Sequence, residues 1–320
     1  MGRVLIPQKV DAAGERLLAE AGHEIVIPKQ FDETTLIDAV RDCDAILLRT
    51  AAVGAAVLQA GKKLQIVARH GAGYNNVDVE TASELGIWVT NTPDATTMSV
   101  AEFTLGAIIA CAKQSFRLNK ALLEDDFYRK NRFLGQDLSG KTLSIIGLGR
   151  IGREVAKRAY YGLGMRVIAY SPHIPADLPP YIEAVSRDEA FAGADFVSLH
   201  MPLTNCSRAS IGANEFLNMK PEAFLINCAR GEVIVEAELI QALEAGRIAG
   251  AFLDVFEQEP PEKDNPLLHM EQVIVTPHMA SNTKECMRRM AVGAASEIVL
   301  VLDGKAPKWP VNQPAELKKK

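Results

Sequence analysis

The sequence predicts an α/β protein made of two parallel-sheet domains. Three observations carry the prediction. Short apolar runs alternate with helix-like segments along the chain. A glycine-rich turn, Gly147-Leu148-Gly149-Arg150-Ile151-Gly152, stands between one such run and a helical pattern. Finally, 320 residues exceed what one ordinary core accommodates. Strands alternating with helices pair in parallel through right-handed crossovers, which fixes the class.

In the first series, Val4-Leu5-Ile6 reads as a strand, residues 12–21 as a helix and Glu24-Ile25-Val26-Ile27 as a strand. Residues 34–41 read as a helix and Ala45-Ile46-Leu47-Leu48 as a strand, with 64–68 and 87–90 continuing the pattern. None of these strands is followed by a glycine fingerprint. The apolar run 100–112 reads as a long buried helix leading into the second series. That series has six strand candidates, 143–146, 166–170, 196–199, 223–227, 250–253 and 273–275, with a helix over 151–161. The amphipathic stretch 285–302 is long enough to need a surface on which to bury its apolar face, and is expected to return to the first domain.

Hydrophobic residues make up 48% and charged residues 23%, the composition of a globular chain rather than a disordered one. A net charge of −5 gives no general attraction to nucleic acid or to an anionic membrane. The positive run Lys318-Lys319-Lys320 reads as a frayed, solvated terminus. Cys43, Cys111, Cys206, Cys228 and Cys286 are odd in number and never spaced as CxxC, which argues against a disulfide framework or a zinc site, and no metal is expected. The N-terminus lacks the pattern of a secretory signal, and no apolar run reaches the roughly 18 residues of a membrane span. A cytoplasmic location is the expectation.

The turn at 147–152 gains its meaning from context, since GxGxxG alone is a weak pattern. Here it directly follows the strand Leu143-Ser144-Ile145-Ile146 and opens a helix. Gly147 permits the tight turn, Gly149 lets the backbone approach a pyrophosphate, and Gly152 allows the helix to pack closely on the strand. The helix N-terminus then offers its N–H groups to the anion. The adenosine end departs from the usual pattern. The next strand ends Tyr170-Ser171-Pro172-His173, so Ser171 stands where an acidic residue usually takes the ribose hydroxyl, and Asp177 lies far into a proline-bracketed loop. Missing the acid leaves NADP open, with Ser171 and His173 as donors. No arginine lies in the turn itself, and the reading leans to NAD.

Three residues downstream have the chemistry of ketone reduction. Arg230, in Asn227-Cys228-Ala229-Arg230-Gly231, follows a strand end, and its planar fork matches a carboxylate. His278, in Thr276-Pro277-His278, follows another and suits a proton donor working near neutral pH. Glu259 is the carboxylate that would orient and charge that imidazole. Each alone has a bland reading, as an exposed loop arginine, a surface glutamate or a strand-ending histidine. Together, after a dinucleotide turn, they form a set.

With these motifs in order, the chain resembles the D-isomer-specific 2-hydroxyacid dehydrogenase family, which includes D-3-phosphoglycerate dehydrogenases and glyoxylate/hydroxypyruvate reductases. The resemblance spans nearly the whole chain. It includes the stretch 69–78, RHGAGYNNVD, the stretch 91–102, NTPDATTMSVAE, and the stretch 200–204, HMPLT, besides the motifs above. It implies a flavodoxin-like substrate domain from residues 1–98 and 284–320, a Rossmann NAD(P)-binding domain over 99–283, an active site in the cleft between them and a homodimer. It further implies that Arg230 binds the substrate, that His278 is the acid/base and that Glu259 is its partner. Gly147, Gly149, Arg150, Ile151, Gly152, Ser171, His200, Pro202 and Asp254 would hold the cofactor, Asp254 at the nicotinamide carboxamide. Arg49, His70, Gly71, Ala72 and Gly73 would join Arg230 around a small 2-oxo or 2-hydroxy acid. Three departures stand out: Ser171 for the usual acid, Thr96 where many relatives have Asn, and a basic stretch at 128–133 without the tryptophan many relatives carry there. That stretch reads as a solvated helix face. The alternative from another class is an NAD(H)-sensing corepressor of the C-terminal-binding-protein type, against which the chain shows no long tail or added interaction segment.

Overall fold

The structure is a computed structural model that describes residues 1–314. The run Lys318-Lys319-Lys320 lies outside the described residues. The chain divides into two compact units, one formed by Met1–Thr96 together with the chain from Asn282 onward, the other by Thr97–Ser281.

In the first unit, strands β1 (Arg3–Leu5), β2 (Glu24–Val26), β3 (Ala45–Leu48), β4 (Ile66–Arg69) and β5 (Trp88–Thr90) form one sheet in the order β2-β1-β3-β4-β5. Every pairing is parallel. This is the flavodoxin-like doubly wound order, which reverses between β1 and β3. Helices α1 (Ala12–Glu20), α2 (Glu33–Val40) and α4 (Val79–Glu84) start where Asp11, Asp32 and Asp78 accept backbone N–H groups of the first turn. With α3 (Ala55–Ala60), helices α2 and α4 cover one face through Leu36, Val40, Val57, Leu58 and Ala82. The other face is covered by α1 and by α11 (Lys284–Leu302), which buries Ala291, Ala294, Ala295, Ile298 and Leu302 against Val4, Leu47 and Ile66. Fully burying a Leu or Ile side chain stabilises by about 1.5–3 kcal/mol, so this face holds the C-terminal helix in the first unit.

In the second unit, β6 (Thr142–Ile146), β7 (Arg166–Tyr170), β8 (Ile182–Ala184), β9 (Phe196–Leu199), β10 (Phe224–Asn227), β11 (Gly250–Leu253) and β12 (Val273–Val275) run in the order β12-β11-β10-β9-β6-β7-β8. All pairings are again parallel. This is Rossmann topology with one further strand, and its order reverses between β6 and β9. One face carries α5 (Pro93–Ala112), which begins in the first unit, and α7 (Arg150–Leu163). The other carries α8 (Arg187–Ala192), α9 (Ala213–Asn218) and α10 (Glu236–Glu244). Helix α6 (Ser115–Leu123) and 3-10 turns at Phe127–Asn131, Gly231–Val233 and Pro266–Leu268 complete the elements among the described residues.

The structure amends several sequence expectations. A seventh strand, β8, lies at the sheet edge with only Ile182 buried, too little apolar pattern to read as a strand. The helix expected over 100–112 starts earlier, at Pro93, so that it is long and apolar enough to cross a membrane by length and composition. However, 61% of its apolar window is buried in the protein, and Val100, Ala107 and Ile108 belong to the unit's core. In the basic stretch, Lys130 and Arg132 are solvated as expected, whereas Arg129 pairs with Glu271 and Glu124.

Candidate active site

Every group of interest in the second unit sits at the C-terminal edge of its sheet, the edge where open α/β sheets bind ligands. Around the reversal point, the Gly147 N–H donates to the Tyr170 carbonyl at 2.8 Å and the His200 N–H to the Ile146 carbonyl at 2.8 Å. The ends of β6, β7 and β9 thus meet at the glycine turn. Gly147 has φ +106°, and a Cβ there would lie 2.8–2.9 Å from the backbone of His200 and Met201. Only glycine fits. A Cβ on Gly152 would strike the Gly147 carbonyl, whereas the space above Gly149 is open. Gly149 caps α7 without any side-chain hydrogen bond, so the N-terminus of the helix, with the N–H groups of its first turn, opens beside that space. A cradle closed beneath Gly147 and Gly152 and open at Gly149 fits a pyrophosphate, so these residues suit a bound dinucleotide.

The flanking cofactor candidates differ in character. His200 has its Nε2 2.9 Å from the Ser198 hydroxyl, and desolvation pushes its pKa down to about 4, so the ring is neutral. Pro202 is exposed and its carbonyl accepts the Ser207 hydroxyl at 2.6 Å. Ser171 is half-buried, directly after β7. Asp254, expected at the carboxamide, follows β11 directly. It is fully buried, and its carboxylate accepts the Thr276 hydroxyl (2.6 Å) and the Met279 and Ala280 N–H groups (both 2.8 Å). Its own carbonyl accepts the His278 N–H at 2.8 Å. Asp254 therefore acts as the anchor of the 276–280 loop.

That loop presents His278. The residue has φ +48°, a left-handed conformation that a side chain adopts only where surrounding bonds hold it, here those to Asp254. Its Nδ1 lies 2.7 Å from Glu259 Oε2, and the Phe256 N–H donates to Glu259 Oε1 at 3.2 Å. Burial opposes the charge of Glu259, but the bonds from His278 and Phe256 and the nearby Arg230 bring its pKa below the usual value. With Nδ1 donating to the carboxylate, Nε2 is left to exchange a proton with a ligand.

Arg230 stands three residues beyond β10. Asn227, fully buried, donates to the Arg230 carbonyl at 2.9 Å and accepts the Ala229 N–H at 3.0 Å, so the loop is held by its own strand end. The neighbouring Gly231 packs so tightly on Phe256 that a Cβ would overlap the Phe256 carbonyl. This contact presses the Arg230 loop onto the segment carrying Glu259, and it is a tertiary requirement that residue spacing does not announce. Burial lowers the pKa of Arg230 from its ordinary value, while Glu232 and Glu259 act the other way. The structure thus brings Arg230, Glu259 and His278 into one electrostatic group.

In the first unit, Arg49 follows β3, with Nη1 3.5 Å from the Lys9 carbonyl. Gly71, Ala72 and Gly73 follow β4. The Gly71 N–H donates to the Thr92 hydroxyl at 2.9 Å, and the Ala72 carbonyl accepts Asn91 Nδ2 at 2.7 Å. Thr92 and Asn91 thus brace this loop, a role that their local sequence does not announce. Arg69 has a similar bracing role: it donates to Asn76 Oδ1 at 2.9 Å and to the His70 carbonyl. His70, expected to line the substrate pocket, is 3% exposed and its Nε2 lies 3.2 Å from the Met287 carbonyl. Burial pushes its pKa down to about 4, so it is a neutral tie between the β4 loop and α11.

Comparison with known proteins agrees with this geometry. The family model described as D-isomer specific 2-hydroxyacid dehydrogenase, NAD binding domain, matches residues 105–280. The chain is 40% identical over 318 residues to the D-3-phosphoglycerate dehydrogenase of Methanocaldococcus jannaschii, covering 98% of this chain and 60% of that protein. It is 39% identical over 300 residues to the hydroxypyruvate reductase of Thermotoga maritima, covering 92% of this chain and 97% of that one. The chain therefore spans about three-fifths of the D-3-phosphoglycerate dehydrogenases it matches. Among solved structures, a glyoxylate reductase from Paecilomyes thermophila superposes with a TM-score of 0.88 at 29% identity, covering 97% of this chain and 98% of that one.

Proposed function

Because the chain belongs to the D-isomer specific 2-hydroxyacid dehydrogenase family, we propose that it interconverts a short 2-oxo acid and its D-2-hydroxy acid using a nicotinamide dinucleotide. The observation that carries the proposal is the 2.7 Å pair between His278 and Glu259, beside Arg230 and on the same sheet edge as the open glycine cradle. The bound dinucleotide supplies hydride donation or acceptance at the substrate's C2. His278 Nε2 holds the proton that passes to the substrate oxygen in reduction and takes it back in oxidation. Glu259 keeps the ring oriented and stabilises the imidazolium. Arg230 binds the substrate carboxylate through its fork and polarises the adjacent carbonyl. Asp254 positions the loop that carries His278.

The proposal assigns cofactor binding to the second unit and substrate-binding groups to the first, namely Arg49 and the backbone at Gly71, Ala72 and Gly73. It takes the substrate to be a three-carbon acid with oxygen at C3. The support is that two relatives covering most of this chain are named for such acids. It also includes a homodimer, supported by the exposed apolar side chains of Phe116, Leu122, Leu123, Phe127, Tyr128 and Leu134, which a second copy would cover. A cytoplasmic location is proposed because all five cysteines are free thiols. The deciding experiment is NADH and NADPH oxidation against glyoxylate, hydroxypyruvate, pyruvate, bulkier 2-oxo acids and 3-phosphohydroxypyruvate, with chiral analysis of the product. Turnover of none of these, or an L-product, would refute the proposal.

A further inference from the structure

The adenosine end of the cradle has lost its negative charge twice over. β7 ends at Tyr170, and the residue that follows, where a strand-end carboxylate takes a ribose hydroxyl and repels a 2′-phosphate, is the neutral Ser171. Between Ser171 and Tyr181 the sequence has a single carboxylate, Asp177. Both of its oxygens are engaged: Arg153 Nη2 lies 2.8 Å from Oδ1 and Nη1 lies 3.1 Å from Oδ2. Arg153 belongs to α7, the helix whose N-terminus faces the cradle, and its N–H bonds the Gly149 carbonyl at 3.0 Å.

The pair also has the chemistry of a stand-in. A guanidinium gripping two carboxylate oxygens with parallel bonds is the arrangement it would offer to two oxygens of a phosphate. Asp177 comes from an exposed loop, its side chain 79% accessible, whereas the Arg153 side chain is 29% accessible and fixed on the helix. The anion is the more exposed partner, and its exchange for another anion would leave the helix undisturbed. The hydrogen bond and charge of Arg153 hold the Asp177 carboxyl below its usual pKa, so the carboxylate remains ionised and occupied at neutral pH. It therefore neither accepts a ribose hydroxyl nor presents an uncompensated charge to a phosphate. The exposed His173 is a further donor on the same loop.

Resting on the dehydrogenase reading above, we propose that this chain binds NADP(H) at least as tightly as NAD(H), with Ser171 as the selecting residue and Arg153, exchanging Asp177 for the 2′-phosphate, as its cationic partner. This departs from the lean toward NAD drawn from the strand-end sequence, because the arginine absent from the turn is supplied by the helix 24 residues before Asp177.

The test is direct binding, free of any substrate: titration of the purified protein with NADPH and with NADH, followed by nicotinamide fluorescence. The wild-type Kd for NADPH is expected to equal or fall below that for NADH. Ser171→Asp should weaken NADPH by about tenfold or more through like-charge repulsion while sparing NADH. Asp177→Asn, which releases Arg153, should tighten NADPH severalfold, and Arg153→Met should loosen it, both leaving NADH unchanged. A wild-type Kd for NADH below that for NADPH, a Ser171→Asp protein with an unchanged Kd ratio, or an Arg153→Met protein with unchanged NADPH affinity overturns the inference and leaves the dehydrogenase reading standing. Binding of neither dinucleotide overturns both.

Discussion

His278 Nδ1 stands 2.7 Å from Glu259 Oε2, and this one bond decides what the imidazole can do. It makes Nδ1 the donor to the carboxylate and leaves Nε2 as the exchanging atom. Because the pair is partly exposed, its worth is orientation and proton chemistry rather than stability. His278→Ala should lower kcat by about 10²–10⁴ while leaving dinucleotide affinity nearly intact. Glu259→Gln keeps the shape and removes the charge, so the pH profile of kcat/KM should shift along with kcat. Steady-state kinetics over pH, beside dinucleotide titration, checks both. Near-normal turnover of the alanine variant would remove His278 from the mechanism.

Arg230 offers a separate test because two substitutions distinguish charge from geometry. Arg230→Lys retains the cation but not the fork, and Arg230→Ala loses both. Each should raise KM for the oxo acid and lower kcat/KM, with lysine recovering part of the loss, by about tenfold relative to alanine. Equal activity in all three proteins would mean that Arg230 does not touch the substrate.

Much of this arrangement was legible in the sequence because local chemistry and tertiary role coincide there. The cradle declares itself as strand, glycine turn and helix, and Arg230 and His278 each follow an apolar run that is indeed a strand, β10 and β12. What escaped depends on partners far away in the chain. Gly231 looks like any loop glycine until Phe256 is seen against it. Asp254 does not announce its hold on the 276–280 loop, whose N–H groups reach it from 25 and 26 positions away. His70 reads as a pocket residue, but Met287, 217 positions away, holds its ring. Strand β8 has a single buried side chain, too few for an alternating pattern. The start of α8, by contrast, is written locally: Ser186 and Glu189 form a capping box at a spacing the sequence displays.

Two neutral histidines set an acid limit on stability. His70 and His200 each have a pKa lowered from 6.5 to about 4 by loss of water around the ring. Between those values the unfolded chain binds protons that the folded chain refuses. Stability should therefore fall as pH drops from 6.5 toward 4. Denaturant unfolding across that range should show the decline, and His70→Gln should make it shallower. A flat profile from pH 6.5 to 4 would contradict the burial of both rings.

The apolar side chains of α6 and the turn after it provide the last prediction. Leu122, Leu123, Phe127 and Tyr128 are exposed within seven residues of one another, while neighbouring Ala121 is buried. Isolated exposed apolar groups need no explanation, but an aromatic and aliphatic cluster on one short segment marks a surface that gains by being covered. A second copy is the economical cover, since a two-fold axis sets the same patch against itself. Sedimentation velocity should therefore find a dimer at micromolar concentration. Leu123→Asp together with Tyr128→Asp buries two charges in that contact without touching any core residue, so it should give a folded monomer with an unchanged circular dichroism spectrum. A wild-type monomer at every concentration, or a double variant that stays dimeric, would place the subunit contact elsewhere or nowhere.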